Sequence, residues 1–112
     1  MAGRIARGEV RLYTFALPDK TRPVVILTDD AAIAYLSNVT VAPIGSTIRG
    51  VPSEVVLDED DGMKAPCAVN LRNTASVPQD RIGKCVARLS PLRMREICAA
   101  LSFSLGCDSG SA

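Results

Sequence analysis

A short loop of small and polar residues, Gly45-Ser-Thr-Ile-Arg-Gly, combines groups that are well suited to holding a phosphate. Ser46 and Thr47 supply hydroxyls, Arg49 supplies a cation, and glycine lets backbone N–H groups approach an anion closely. The loop follows Asn38 to Ile44, an apolar run that predicts a buried strand ending at its mouth. The sequence therefore predicts a phosphate-binding loop that the rest of the chain positions against a second cation upstream.

Composition limits how the protein could bind an anion. The 112 residues carry a net charge of only +1, so no strong overall field recruits nucleic acid. With two Phe, two Tyr and no Trp, aromatic platforms for stacking bases are scarce. Binding must come from local clustering of the 13 cations. The length predicts a single domain over residues 1–112, with residues 1–7 and 108–112 flexible.

The cysteines and the ends of the chain indicate a reduced environment. Four cysteines are widely spaced and histidine is absent, so the paired spacing of a zinc motif is missing. The opening Met1-Ala-Gly-Arg has no apolar signal core, and no apolar run approaches the length of a membrane span. We expect a cytoplasmic protein with reduced thiols, no membrane association, no metal and no cofactor.

The remaining pattern predicts a mainly β protein. Alternating and continuous apolar runs indicate six strands: Glu9 to Phe15, Val24 to Thr28, Asn38 to Ile44, Ser53 to Leu57, Cys67 to Leu71 and Lys84 to Leu89. The segments between them are interpreted as a turn-rich connection at Leu17 to Pro23, a short helical turn at Ala31 to Tyr35, a solvated acidic loop at Asp58 to Gly62 and a polar turn at Asn73 to Gln79. We expect an antiparallel, barrel-like sheet of six or seven strands.

One helix is predicted to follow the strands. Ser90 is a favourable N-cap, Pro91 suits the first helical position, and Gly106 suits a left-handed stop. The stripe expected to face the sheet consists of Leu92, Ile97, Leu101 and Leu105, supplemented by Met94 and Cys98. The fold prediction is thus a sheet with a C-terminal α-helix packed on it.

Several short motifs now occur in a recognisable order. They are Arg7-Gly-Glu-Val, Thr21-Arg-Pro-Val-Val-Ile-Leu, Val39-Thr-Val-Ala-Pro-Ile, Ser46-Thr-Ile-Arg-Gly-Val-Pro-Ser-Glu-Val, Asp61-Gly-Met-Lys, Val69-Asn-Leu, Arg81-Ile-Gly-Lys and Arg88-Leu-Ser-Pro. Over about Arg7 to Gly106 the chain resembles the MazF/PemK family of toxin–antitoxin endoribonucleases. That resemblance implies the small SH3-like antiparallel barrel that the family shares with the gyrase poison CcdB.

The resemblance also implies an activity and partners. It implies a homodimer that cuts single-stranded RNA at short sequence motifs without a metal, and an antitoxin whose tail blocks the same groove. The products would be a 2′,3′-cyclic phosphate and a 5′-hydroxyl end. This reaction needs charge stabilisation on the phosphate and a route for protons.

Site residues follow from the same resemblance. Arg22 matches the family's catalytic arginine, and its forked guanidinium suits a phosphorane because it can bond two oxygens at once. Ser46 and Thr47 are expected to contact the phosphate at the catalytic centre, and Asp19 and Glu54 are candidates for proton transfer. The expected RNA-binding residues are Lys20, Gly45, Arg49, Arg72 and Asn73.

Gly45 departs from the family pattern. Relatives usually carry a threonine at this position, directly after a segment of the Ala-Pro-Ile type. Three interpretations stay open: Ser46 or Thr47 substitutes, the backbone amide at Gly45 suffices, or the site is weakened or inactive. The last of these leaves an alternative function, a binding toxin on the same barrel that acts as a gyrase poison or as an RNA or antitoxin binder.

Overall fold

Strands dominate the computed structural model, which describes residues 4–15 and 20–107. The strands are β1 (Glu9–Phe15), β2 (Lys20–Ile26), β3 (Asn38–Gly45), β4 (Glu54–Leu57), β5 (Cys67–Asn70), β6 (Ala75–Pro78) and β7 (Cys85–Arg88). The helices are α1 (Asp30–Ile33) and α2 (Pro91–Leu105), and single 3-10 turns cover Glu59–Asp61 and Gln79–Arg81.

Strand β3 organises the sheet. The strand order is β4-β5-β3-β2-β1-β7, and every pairing is antiparallel. One edge of β3 pairs with β2, whereas its other edge pairs first with β6, over Asn38 to Val41, and then with β5, at Ile44 and Gly45. This change of partner curls the sheet into an open half-barrel. The predicted antiparallel, barrel-like fold with a C-terminal helix is confirmed.

The two faces of β2 and β3 pack into different cores. Alternate residues, among them Val25 and Ile44, belong to the cluster beneath α2. Their neighbours in sequence, among them Val24 and Val41, pack with Ile33 of α1 and with Val77 of β6. Because both faces are covered, these strands read as continuous apolar runs, as the sequence indicated.

The start of β2 was predicted wrongly, and β6 was not predicted. Strand β2 begins at Lys20 and includes Pro23, which was assigned to a turn. The proline is tolerated because β3 pairs with β2 only from Val24 onward, so β2 is paired on one side at Pro23. The segment interpreted as a polar turn contains β6, whose Val77 is buried in the second core. A single inward-facing valine outweighs the polar residues around it.

Helix α2 confirms its predicted ends and the middle of its predicted face, where Ile97, Met94 and Leu101 pack against the core. Ser90 accepts a hydrogen bond from the backbone N–H of Arg93, and Gly106 adopts a left-handed φ of 74°. Ile97 and Ala100 are the buried helix residues, whereas Leu92 and Leu105 are 58% and 64% exposed. A helix of 15 residues is about 22 Å long, and a strand of four residues spans about 13 Å. The ends of the helix therefore extend beyond β4.

The N-terminal segment is more ordered than expected. The backbone N–H of Arg7 donates to Asp30 Oδ1 at 2.7 Å, and its guanidinium donates to the Leu27 carbonyl and to Cys98 Sγ. The backbone N–H of Gly8 donates to the Ile26 carbonyl at 2.9 Å. The predicted flexibility of residues 1–7 is therefore wrong for residues 4–7. Residues 1–3 and 108–112 lie outside the described residues.

The acidic segment is not simply a solvated loop. Asp58 and Asp61 form a reciprocal capping box around the 3-10 turn. Asp61 also pairs with Arg93 of α2, with Nε to Oδ1 at 2.9 Å and Nη2 to Oδ2 at 3.1 Å. Burial alone would raise the pKa of Asp61, but the hydrogen bonds and charge of Arg93 hold it below its usual value. This carboxylate ties the acidic turn to the helix.

Candidate functional site

One face of four neighbouring strands gathers most of the predicted site residues. Gly45 of β3 is opposite Ala68 of β5, and Asn70 of β5 is opposite Glu54 of β4. Opposed residues of an antiparallel pair project from the same face of the sheet, as do residues two apart along a strand. Gly45, Ala68, Asn70 and Glu54 therefore share one face.

The register of β2 and β3 brings Arg22 to this face as well. Val24 is opposite Pro43. The pairing itself ends at Val24, and extending its register by two residues brings Arg22 to the level of Gly45, where the loop begins. Strand pairing thus joins two motifs that are more than 20 residues apart in the chain.

These residues line a cavity of about 480 Å³. Its walls are formed by Arg22, Pro43, Ile44, Gly45, Ser46, Thr47, Arg49, Glu54, Ala68, Asn70 and Asn73. Of the predicted site residues, Lys20 and Arg72 are not part of this lining. Asp19 lies outside the described residues.

Arg22 brings an available positive charge to the cavity. It is solvent-exposed near the start of β2. Among the residues that the structure describes, its guanidinium makes no ion pair and no hydrogen bond. The charge is therefore free to meet an anion in the cavity.

Glu54 fixes the far end of the loop. Its Oε1 accepts hydrogen bonds from the backbone N–H groups of Arg49, at 2.9 Å, and Gly50, at 3.1 Å. Gly50 has a φ of +69°, a conformation in which glycine is favoured. These two N–H groups are therefore occupied and are not available to a phosphate in the cavity.

Nothing in the backbone requires glycine at position 45. Gly45 is not among the glycines with positive φ, and a Cβ built there meets no atom within 4 Å. It follows Pro43 on the alternation of β3, and both residues line the cavity. A threonine side chain would therefore fit and would point towards the cavity.

Arg72 has a structural contact beside the cavity. Its Nε donates to Oγ of the buried Ser53 at 3.1 Å, one residue before Glu54. Lys20 is exposed at the start of β2. Of the four cationic residues predicted for the site, Arg22 and Arg49 line the cavity, whereas Lys20 and Arg72 do not.

Asn70 is the polar cavity residue that sequence reasoning missed. It ends the apolar run of β5 and shares the alternation of Ala68, so its side chain leaves the sheet on the cavity face. A polar residue at the last alternating position of a buried strand was the available signal. Arg72 and Asn73, just beyond it, were the stronger candidates for a polar site.

Comparison of the sequence with known proteins identifies the family. The family model described as the PemK-like, MazF-like toxin of type II toxin–antitoxin systems matches residues 6–105. The chain belongs to this family. It is 44% identical over 104 residues to a probable endoribonuclease MazF5 of Mycobacterium tuberculosis, covering 92% of this chain and 94% of that protein. The family assignment makes the chain the toxin of a toxin–antitoxin pair and an endoribonuclease.

Solved structures carry the same fold. The Mycobacterium tuberculosis toxin MazF-mt6 matches with a TM-score of 0.81 and 32% identity, over 89% of this chain and 98% of that chain. A mycobacterial endoribonuclease in complex with its cognate antitoxin matches with a TM-score of 0.81 and 24% identity, over 91% and 95% of the two chains. Within residues 4–15 and 20–107, no helix is long and apolar enough to cross a membrane.

Proposed function

We propose that the cavity between Arg22 and the Gly45–Gly50 loop is the active site of a metal-independent endoribonuclease that cuts single-stranded RNA at a short sequence. The observation that carries this proposal is that Arg22 lines the same cavity as Gly45, Ser46 and Thr47. An exposed guanidinium and two hydroxyls at one point suit a phosphodiester.

The proposed chemistry follows from these groups. The ribose 2′-oxygen attacks the adjacent phosphorus while its proton passes to a base, and the bond to the 5′-oxygen breaks as that oxygen takes up a proton. The products are a 2′,3′-cyclic phosphate and a 5′-hydroxyl. Arg22 stabilises the charge that accumulates on the phosphoryl oxygens, and Ser46 and Thr47 donate hydrogen bonds to them.

Proton transfer is assigned to carboxylates, since hydroxyls are poor bases near neutral pH. Glu54 lines the cavity, and its Oε1 already holds the loop, so a proton would be accepted on Oε2. Asp19 is the second candidate, on the strength of its closeness in sequence to Arg22. The two variants Glu54→Gln and Asp19→Asn separate them through the pH dependence of cleavage.

The partners are proposed from the family. A related mycobacterial endoribonuclease was solved in complex with its cognate antitoxin. We propose that this chain also binds an antitoxin, and that a segment of it covers the cavity. We also propose a homodimer of single-domain subunits acting on RNA in the cytoplasm. Exposed apolar side chains, including Leu92, Phe103 and Leu105 on α2, offer surface that association would cover.

Cleavage of a mixed RNA pool in the presence of EDTA tests the proposed function directly. Sequencing of the 5′-hydroxyl ends should return one short motif. Arg22→Ala should reduce cleavage by about 100- to 1,000-fold, as expected when one charged donor to a transition state is removed. Arg95→Ala is the matched control, because Arg95 is an exposed arginine on α2 that does not line the cavity.

Two results would contradict the proposal. An RNA pool left intact by pure, folded protein would exclude the nuclease, and equal loss in Arg22→Ala and Arg95→Ala would place the active site elsewhere. If RNA stays intact while covalent gyrase–DNA complexes accumulate, the alternative of a gyrase poison is correct.

A further inference from the structure

We propose that Asn70 is a specificity-determining residue, whose side-chain amide donates a hydrogen bond to the exocyclic carbonyl oxygen of a uracil or guanine base next to the scissile phosphate. This inference rests on the proposed function and adds to it the chemical class of the base that is read. It is carried by the position of the Asn70 amide, which lines the same cavity as Arg22.

The orientation of the Asn70 amide is fixed by its neighbour. The backbone N–H of Arg72 donates to Asn70 Oδ1 at 3.0 Å. Since that N–H is a donor, the atom that faces it must be the amide oxygen and not the amide nitrogen. This contact engages one of the two lone pairs of the oxygen and orients the amide, so the NH₂ group of Asn70, which lines the cavity, keeps both of its donors for a ligand. Within residues 4–15 and 20–107, Nδ2 has no protein hydrogen-bond partner.

The position of Asn70 suits a base and not the scissile phosphate itself. Gly45, which is level with Arg22, pairs with Ala68, and Asn70 is two residues further along β5. Diagonal neighbours of this kind are about 7–8 Å apart. That separation is comparable with the distance between a phosphate and the base of the same nucleotide.

An amide that presents its donor to a base distinguishes bases by their exocyclic groups. Uracil and guanine present carbonyl oxygens, O4 and O6, where cytosine and adenine present amino groups that are themselves donors. Two donors facing each other leave both without a partner, so the amino bases are disfavoured. Single-stranded RNA exposes these edges, because its bases can be turned out of a stack.

The test replaces the NH₂ group of Asn70 and keeps the oxygen that accepts the hydrogen bond from the Arg72 N–H. In Asn70→Asp, one carboxylate oxygen still accepts the Arg72 N–H, while the other presents an acceptor where Nδ2 was. Sequencing of 5′-hydroxyl ends from a mixed RNA pool should show an invariant uracil or guanine at one position beside the cut for the unmodified protein. In the variant, the preference at that position should shift by about 10-fold or more towards cytosine or adenine.

Controls separate this effect from added charge. Asn38→Asp makes the same substitution at an exposed position of β3 outside the cavity and should keep both rate and motif. Thermal unfolding of Asn70→Asp within a few degrees of the unmodified protein would show that the contact with the Arg72 N–H survives.

Three outcomes overturn the assignment. The first is uniformly slower cleavage by Asn70→Asp with an unchanged motif, which would mean that Asn70 contacts the phosphate chain or senses only charge. The second is a motif of the unmodified protein with no invariant uracil or guanine beside the cut. The third is an unmodified protein that cuts no RNA, which would overturn the proposed function itself and is seen before any variant is compared.

Discussion

Arg11 and Arg22 lie on paired strands, β1 and β2, and have opposite surroundings. Arg11 is only 7% exposed. Its Nε meets Glu9 Oε1 at 2.9 Å, its Nη1 donates to the Gly83 carbonyl at 3.0 Å, and its Nη2 donates to the Arg4 carbonyl at 3.3 Å. Arg22 is exposed, and within the described residues it has no such partner.

The difference shows that the fold gives two arginines different roles, one in stability and one in contact with solvent. Glu9 is buried and accepts from Arg11, from Arg88 and from the backbone N–H of Ala6. A buried charge is tolerated only when it is paired and hydrogen-bonded, so this group stabilises the sheet and has no capacity left for a ligand. Among the residues that the structure describes, the guanidinium of Arg22 has no partner, and it is the one of the two that we propose contacts the substrate.

The largest expected effect breaks the buried group. Arg11→Ala should lower the free energy of unfolding by about 3–5 kcal/mol, because the buried ion pair loses one partner and Glu9 keeps only the exposed Arg88 as a cationic neighbour. Arg22→Ala should change it by less than about 0.5 kcal/mol, since an exposed side chain is removed. Urea titrations of the two variants measure the contrast. Equal destabilisation would mean that Arg22 is also structural.

The next effect concerns the hydroxyl that the sequence resemblance leads us to expect at position 45. Gly45→Thr should fit without strain and should raise the cleavage rate by about 10-fold or more, the value of one hydrogen bond to a charged group. Gly45→Val is the matched control, since it has nearly the same shape and no hydroxyl. If threonine and valine give equal rates, Ser46 or Thr47 already supplies the contact.

Glu54 separates positioning of the loop from proton transfer. Glu54→Ala frees the N–H groups of Arg49 and Gly50, and it should raise KM and slow cleavage by roughly 10-fold, as loss of one or two hydrogen bonds predicts. Glu54→Gln retains a carbonyl acceptor and should restore most of the rate if holding the loop is the main role. A glutamine variant as slow as alanine, with the acidic limb of the pH profile lost, would instead show that Glu54 accepts the proton.

The smallest effect is at the contact between the acidic turn and α2. The pKa of Asp61 is lowered in the fold, so its contribution to stability is complete above its unfolded pKa, near 3.8, and is lost as the pH falls through the lower folded value. Unfolding monitored at pH 6 and below pH 3 should show this loss, and Asp61→Asn should show a smaller acid dependence. The effect stays small because Arg93 is partly exposed and solvent screens the pair. An unchanged acid dependence in Asp61→Asn would contradict it.

The sequence predicted those elements whose signal is local. Ser90 and Gly106 bound the helix because capping depends on a few adjacent residues, and the β-branched runs of β2 and β3 were legible because both faces are buried. Strand β6 was missed, since its place depends on one valine meeting a core formed by distant residues. The exposure of Leu92 and Leu105 at the two ends of α2 was not predicted. The helical period can be read from the helix, but the length of the strand on which it packs cannot.

What the sequence determined by itself was the family, the chemistry that Arg22 and the Ser46–Thr47 hydroxyls can perform, and the missing hydroxyl at position 45. Only the tertiary structure decided which polar groups are available. In the fold, Arg11 forms a buried ion pair, Arg72 donates to Ser53, Glu54 holds the loop and the Asn70 oxygen accepts from the Arg72 N–H. The physical reason is that availability depends on partners, and these partners are brought together by strand pairing across long separations in the chain.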